Sequence, residues 1–275
     1  MINKQPLFRN IARLAGGAIL LGLVSIIVAT AAGVAQHGEI PGFMTGNLFT
    51  EKETPPEEQS SVPVSADMPK PPRAEKVVYL TFDDGPDPAV TPLVLQTLQQ
   101  HAVPATFFVT GTQVEAHPEL LRQIHAAGHA IGNHSYNHRY HELYRSPAAY
   151  LAQMERCNAL IAAIIGVTPG ISRAPGGTTG SFTADFWSSL EQQGFKDIGW
   201  NISSGDASSA KATQIAGNVI AQAEKNKFLW RNAIVLMHDG KGHAETAAAL
   251  PAIIEYFQKQ GFEFRAVDHS TPPAW

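Results

Sequence analysis

Short apolar runs alternate with amphipathic stretches from residue 77 to residue 266, and this alternation limits the possible folds more than any other feature. The first run, residues 77–82, consists of apolar and β-forming residues, as expected of a strand that is buried on both faces. Strands that alternate with helices predict an α/β fold with a mainly parallel sheet, which could be open or closed into a barrel. We expect strands at 77–82, 105–109, 129–132, 171–173, 196–200, 233–237 and 262–266, and helices at 92–101, 118–127, 148–165, 183–193, 212–223 and 244–260.

The N-terminal segment contains an uncharged apolar run of 22 residues, 14–35, preceded by three basic residues. At ~1.5 Å per residue, a helix of this length would span the ~30 Å hydrocarbon core of a bilayer. The basic flank predicts that the N-terminus stays inside and that the rest of the chain is exported. Residues 1–36 are interpreted as a membrane anchor or as a signal peptide cleaved near residues 33–35, and the uncleaved anchor is favoured. We therefore expect an extracytoplasmic protein at the cell surface, or a secreted one if the segment is cleaved.

A segment rich in Pro, Glu and Ser, residues 37–76, separates this apolar run from the alternating pattern. Six prolines fall between residues 51 and 76, where large apolar side chains are few, so we expect a flexible tether. The folded domain is predicted at residues 77–270. Its single cysteine, Cys157, lies in a helical setting that favours a buried, inert thiol over a nucleophile.

The charge of the chain argues against one class of partner. Charged residues make up only 16% of the chain, the formal net charge is -4, and the basic residues form no long run. This composition lacks the basic patch that nucleic acids require, so we expect no nucleic-acid partner. We expect the protein to be a monomer.

Two adjacent carboxylates, Asp83 and Asp84, follow the first predicted strand. The carboxyl ends of parallel strands are where ligands bind in α/β folds. Two like charges side by side repel each other, so a cation or a shared proton must compensate for them. Because Asp, Gly and Pro also form turns, residues 83–86 could alternatively be a plain turn.

A histidine pair, His134 and His138, follows the third predicted strand. Four residues apart on one helical turn, the two rings would share a face within reach of one ion. Neutral imidazole suits Zn²⁺, and two histidines with Asp84 would leave an open position, as in hydrolytic metal sites. Asp83 would then be free to act as a general base. The alternative is a pair of surface histidines, and His141, three residues further on, is interpreted as a surface or supporting residue.

Two further stretches are weaker signals when taken alone. Arg173 precedes Ala-Pro-Gly-Gly, where it could pair with a catalytic carboxylate, although a surface arginine before a turn is commoner. His238 ends another apolar strand, at the same edge of the sheet as the first two clusters. A histidine that titrates near neutrality can protonate a leaving amine, but it can equally be a structural residue.

Taken together and in this order, residues 81–86, 134–138, 173–177 and 236–238 resemble the motifs of the polysaccharide deacetylases with a NodB-type homology domain, carbohydrate esterase family 4. The resemblance covers about residues 77–266. It implies a distorted, incomplete (β/α) barrel and a divalent metal, usually zinc and sometimes cobalt or nickel.

The resemblance also implies a role for each matching residue. Asp84, His134 and His138 correspond to the metal ligands, and Asp83 to the base that activates the metal-bound water. Arg173 corresponds to the arginine that orients this base, and His238 to the general acid. Asp206 corresponds to the carboxylate that tunes the acid, Leu236 to the apolar wall of the acetyl pocket, and the Gly176 N–H to an oxyanion donor.

Two departures from the family pattern bear on the substrate. The third motif usually carries an aromatic residue where this chain has Gly176, so we expect one wall of the groove to be missing. Ala207 replaces a tryptophan that usually follows Asp206. The resemblance implies N-deacetylation of a polysaccharide, with peptidoglycan as our first expectation and chitin-type oligomers as our second. An O-acetyl esterase acting on wall or xylan-like polysaccharide and a non-catalytic glycan-binding module are the alternatives.

Overall fold

The computed structural model of the protein describes residues 76–274, and the predictions for residues 1–75 lie outside this range. Eight strands form one sheet in which all pairs are parallel. The strands are β1 (Val77–Asp83), β2 (Thr106–Val109), β3 (Ala130–Asn133), β4 (Ile171–Ser172), β5 (Lys196–Asp197), β6 (Ile202–Ser203), β7 (Ala233–His238) and β8 (Glu263–Phe264). Their order is β5-β4-β3-β2-β1-β7-β6, and β8 pairs with the beginning of β1.

Helices connect the strands, as the alternation of the sequence predicts. They are α1 (Thr91–Gln100), α2 (Gly111–Ala116), α3 (Pro118–Ala126), α4 (Tyr140–Leu143), α5 (Pro147–Ile165), α6 (Ala184–Gln192), α7 (Ala212–Lys225) and α8 (Ala244–Lys259), with a 3₁₀ turn at Lys227–Arg231. The six long helices agree with the predicted ones to within two residues. The sequence pattern missed α2, α4 and the 3₁₀ turn, because these elements are too short to show a helical period. In the part of the chain that the structure describes, no helix has both the length and the apolar character needed to cross a membrane.

Alternate residues of β1 belong to two different cores. Val78, Leu80 and Phe82 pack in the large cluster beneath the surrounding helices. Val77 and Tyr79 belong to a second cluster that also contains Phe108, Ile171 and Ile234 from other strands, together with Ile198 and Val267, which follow β5 and β8. Because side chains alternate along a strand, Thr81 and Asp83 lie on the same face of β1 as Val77 and Tyr79, the face that points into the barrel. The side chains of β1 that point into the barrel therefore change from apolar to polar towards the carboxyl end of the strand.

The sheet is an incomplete barrel whose open side lies between β5 and β6, which end the strand order. The predicted strand 196–200 was wrong in extent, because β5 ends at Asp197 and β6 begins only at Ile202. Arg173 donates hydrogen bonds to the carbonyls of Ile198 (2.8 Å) and Gly199 (3.2 Å), so these groups serve a side chain instead of a neighbouring strand. The predicted fold, an incomplete (β/α) barrel, is confirmed.

Candidate active site

The carboxyl ends of β1 and β7 place Asp83 and His238 side by side. The two residues are register partners in the parallel pair, as are Thr81 and Leu236 one step earlier on the same face. The buried strand β1 continues directly into Asp84, whose backbone has a φ of 75°. This left-handed conformation is uncommon for residues other than glycine, and such strain is often found at functional sites. A straight strand would place two consecutive side chains on opposite faces. The turn instead brings both carboxylates close to Nε2 of His134, with Oδ2 of Asp83 at 3.8 Å and Oδ1 of Asp84 at 3.5 Å.

Asp84, His134 and His138 converge at this edge of the sheet. The Oδ1 atom of Asp84 lies 3.5 Å from Nε2 of His134 and 3.3 Å from Nε2 of His138. The prediction of a helical turn between the histidines was wrong: the segment is a loop with φ values of 71° at Ser135 and 57° at His138. The hydroxyl of Ser135 accepts a hydrogen bond from the backbone N–H of His138 (3.1 Å), which closes this loop. Left-handed residues, and not helical spacing, bring the two rings together.

These three side chains fit a divalent cation. The Nδ1 atom of His134 lies 2.8 Å from the carbonyl of Arg173, which only accepts, so this nitrogen carries the proton and Nε2 has a free lone pair. Burial lowers the pKa of His134 to about 3, which keeps the ring neutral, as a metal ligand must be. The Oδ1 atom of Asp84 is buried and has no hydrogen-bond partner among the described residues. A buried carboxylate oxygen without a partner costs free energy, and a cation between these three atoms would satisfy it.

Arg173 is buried inside the barrel and holds Asp83 in place. One of its Nη atoms donates to Oδ1 of Asp83 (2.9 Å) and to the hydroxyl of Thr81 (2.7 Å). Its guanidinium group also stacks on Phe108, 4.3 Å from the ring centroid. Burial raises the pKa of Asp83, and the positive charge of Arg173 opposes this rise. The carboxylate is thus desolvated, which increases its proton affinity, and is fixed through one oxygen.

His238 is held by a carboxylate on the opposite side of the site. Oδ1 of Asp206 lies 2.8 Å from Nδ1 of His238, and Oδ2 accepts from the backbone N–H of His238 and from the hydroxyl of Thr246, both at 2.8 Å. Burial opposes protonation of His238, but the hydrogen bond to Asp206 and the charge of Asp83 outweigh it and raise the pKa to about 9. Burial would raise the pKa of Asp206, but its hydrogen bonds, that from His238 above all, hold this pKa below its usual value. A protonated imidazole therefore stands beside a carboxylate at neutral pH.

The remaining predicted residues border this centre. Leu236 is buried and precedes His238 on the same inner face of β7. Gly176 has a φ of 72°, and its N–H donates to no other group of the described chain. His141 is 82% exposed, as expected of a surface residue. Cys157 is free and buried, and burial raises the pKa of its thiol to about 12, in agreement with an inert cysteine.

Several residues of the site carry no recognisable signal in the sequence. The hydroxyl of Thr81 accepts a hydrogen bond from Arg173, and the hydroxyl of Thr246 donates one to Asp206. His243 stacks on His238 with ring centroids 5.0 Å apart. The two rings, with Asp206, form a second group of potential ligand atoms in the described part of the chain. Asp197 lies behind Arg173, accepts the N–H of Ala174 (2.8 Å), and has a pKa that burial raises to about 7. Only the strand alternation at Thr81 could have indicated an inward-facing polar residue.

Known proteins resemble this chain over most of the residues that the structure describes. The family described as polysaccharide deacetylase matches residues 70–198. A peptidoglycan-N-acetylglucosamine deacetylase of Bacillus cereus is 36% identical over 200 residues, which cover 70% of this chain and 70% of that protein. A chitooligosaccharide deacetylase of Bradyrhizobium is 34% identical over 198 residues, which cover 68% of this chain and 86% of that protein.

The fold has a close counterpart among solved structures. The crystal structure of a polysaccharide deacetylase from Bacillus cereus superposes with a TM-score of 0.65 at 36% sequence identity, covering 72% of this chain and 94% of that one. The incomplete parallel barrel, the polar cluster at the carboxyl ends of its strands and these relatives lead to one conclusion: the chain belongs to the polysaccharide deacetylase family.

Proposed function

We propose that the protein is a divalent-metal-dependent hydrolase that removes N-acetyl groups from the sugar residues of a polysaccharide, with peptidoglycan as its first candidate substrate. The observation that carries this proposal is the placement of Asp83 and His238 as register partners beside the Asp84, His134 and His138 cluster. One carboxylate and one imidazole thus flank a candidate cation site. Hydrolysis of an amide requires a proton acceptor, a proton donor and stabilisation of the developing negative charge.

Asp84, His134 and His138 would hold the cation. Two imidazole nitrogens and one carboxylate oxygen form a donor set that suits zinc, and cobalt or nickel are the alternatives. When bound, such a cation polarises the acetyl carbonyl and makes water more acidic. The proton on Nδ1 of His134 is directed to the carbonyl of Arg173, so Nε2 is the nitrogen available to the cation.

Asp83 is the proposed general base. Its Oδ1 atom is engaged by Arg173, which leaves Oδ2 to accept a proton from the attacking water. The Oδ2 atom lies 3.8 Å from Nε2 of His134 and is therefore beside the ligand cluster. Its raised pKa suits a group that must take up a proton near neutral pH.

His238 is the proposed general acid. Because Nδ1 is bonded to Asp206, Nε2 is the nitrogen that can donate a proton to the departing amine. The raised pKa keeps this proton in place at neutral pH. The free N–H of Gly176 is the proposed donor to the oxyanion, and loss of one such donor typically raises a barrier by ~3–4 kcal/mol. Leu236 is the proposed apolar contact for the acetyl methyl group.

The relatives support a glycan substrate, since their names specify peptidoglycan and chitooligosaccharide. The apolar run at residues 14–35 supports the proposal that the enzyme is exported and works at the cell surface, where peptidoglycan lies. Conversion of a neutral acetamido group to an amine would add positive charge to the wall.

The test measures acetate released by the purified full-length protein from peptidoglycan, chitooligosaccharides and O-acetylated xylan. We expect release from the N-acetylated substrates, its loss on chelation, and its return when zinc, cobalt or nickel is added. Release from O-acetylated xylan alone would replace the proposal with an esterase. Binding to glycans without any acetate release would indicate a non-catalytic module.

A further inference from the structure

Gly176 leaves a gap beside the site that a side chain from another element fills. A Cβ atom on Gly176 would lie 3.0 Å from the hydroxyl oxygen of Tyr140 and 3.2–3.3 Å from two of its ring carbons. The φ of Gly176 is 72°, which residues with a side chain rarely adopt. A side chain at position 176, where family members usually carry an aromatic residue, would therefore meet the ring of Tyr140. Tyr140 therefore lies beside the position where the sequence predicts a missing wall of the groove.

Tyr140 is the exposed end of a stack of three tyrosines. Its ring packs on Tyr144 with centroids 6.1 Å apart and planes 15° apart, and Tyr144 packs on Tyr150 at 5.9 Å and 23°. Tyr150 is fully buried, and the hydroxyl of Tyr144 donates to the carbonyl of Pro175, next to Gly176. The inner rings therefore fix the position of the outer one, which begins α4 and is 52% exposed.

The exposed ring stands next to the candidate metal ligands. The centroid of Tyr140 lies 5.3 Å from that of His138 at an interplanar angle of 58°. A half-exposed aromatic ring on a rigid support beside a reaction centre is available to a substrate.

We propose that Tyr140 is a substrate-binding residue whose ring forms an aromatic platform for a pyranose ring of the glycan. One face of a pyranose with equatorial substituents carries mainly C–H groups, and it can pack on an aromatic ring while the hydroxyls stay solvated. Tyr140 would thus supply from α4 the aromatic wall that Gly176 cannot carry. This inference rests on the proposed function, because it assumes that the substrate is a polymer of N-acetylated sugars.

The test compares Tyr140→Leu and Tyr140→Phe in the full-length protein, with chitotetraose as the probe. We expect Tyr140→Leu to raise KM about 3- to 10-fold with kcat nearly unchanged, since an aromatic contact is worth ~0.5–1.5 kcal/mol. Tyr140→Phe keeps the ring and should stay within about 2-fold of wild type. The matched control is Phe228→Leu, because Phe228 is also an exposed aromatic (74%) and lies in the 3₁₀ turn before β7, at the opposite end of the barrel. It should change neither constant.

Binding without turnover and metal content separate this role from a structural one. In the Asp83→Asn background, calorimetry should show that Tyr140→Leu weakens chitotetraose binding by the same factor as it raises KM, while the bound metal per chain is unchanged. Unchanged KM and Kd in Tyr140→Leu would overturn the platform. Loss of metal in this variant would overturn it too, since Tyr140 would then act by shielding His138. A wild-type protein that binds chitotetraose but releases no acetate would overturn the proposed function alone.

Discussion

Asp206 holds His238 through both of its carboxylate oxygens, one bonded to the ring Nδ1 and the other to the backbone N–H of the same residue, each at 2.8 Å. The first bond orients the ring, and the second fixes the end of β7 relative to the carboxylate. Because Thr246 donates to the same carboxylate, Asp206 itself cannot turn away. His238 is therefore oriented before any substrate arrives.

Asp206→Asn should move the alkaline limb of the pH–rate profile to lower pH. His238 donates its proton only while it is protonated, and Asp206 helps to raise its pKa to about 9. Without the negative charge this pKa falls towards the usual value of about 6.5, so we expect a shift of about 1–2 pH units. The measurement is acetate release between pH 6 and 10, with the exposed Asp185→Asn as the control for loss of one charge. An unmoved alkaline limb would contradict the role of Asp206.

Asp83→Asn should abolish turnover while leaving the metal site intact. The amide cannot accept the proton of water, and loss of a general base typically costs about 10²–10⁴ in rate. Because Asp83 is not among the three converging ligand atoms, zinc bound per chain should be unchanged by elemental analysis. Activity close to wild type in this variant would refute the assignment of the base.

His134→Ala should lose metal and activity together. The variant removes the imidazole of His134, which supplies one of the three candidate ligand atoms. It also leaves the carbonyl of Arg173 without its hydrogen-bond partner. His141→Ala is the matched control, because His141 lies in the same segment but is 82% exposed, and it should keep both metal and activity. Circular dichroism checks that both variants fold. Full zinc occupancy in folded His134→Ala would exclude His134 as a ligand.

Arg173→Lys should destabilise the protein and raise the pKa of Asp83. Lysine keeps the charge but cannot reach the four groups that the guanidinium contacts, namely Asp83, Thr81 and the carbonyls of Ile198 and Gly199. We expect a loss of about 2–4 kcal/mol in the free energy of unfolding. Asp83 works as a base only when ionised, so a weaker Arg173 contact moves the acid limb of the pH–rate profile to higher pH.

Denaturant unfolding and the pH–rate profile measure these two effects of Arg173→Lys. The control is Arg122→Lys on the exposed face of α3, which should change stability by less than about 0.5 kcal/mol. Equal stability and an equal acid limb in the two variants would show that Arg173 is not the support of Asp83.

The motif residues were identified from the sequence because each follows a strand of recognisable pattern. Asp83, Asp84, His134 and His238 all stand at strand ends, and parallel strands bring their carboxyl ends to one edge. Asp206 and Arg173 follow strands of only two residues, which are too short to show a period. The role of Asp206 came from the family resemblance alone, and for Arg173 the sequence by itself indicated only that it could pair with a catalytic carboxylate. The break between β5 and β6 was mispredicted because the carbonyls of Ile198 and Gly199 bond to the distant side chain of Arg173. The loop at His134 was mispredicted because it depends on left-handed backbone conformations that the residue pattern does not show.

The local order of apolar and polar residues thus determined the alternation of strands and helices, the parallel sheet and the edge that carries the chemistry, because hydrophobic periodicity acts over a few neighbouring residues. Only the tertiary structure decided the tautomer of His134, the clamp on Asp83 and the ring that fills the space above Gly176. Each of these is a contact between segments more than 30 residues apart, made by a side chain whose direction depends on the packing of the whole barrel.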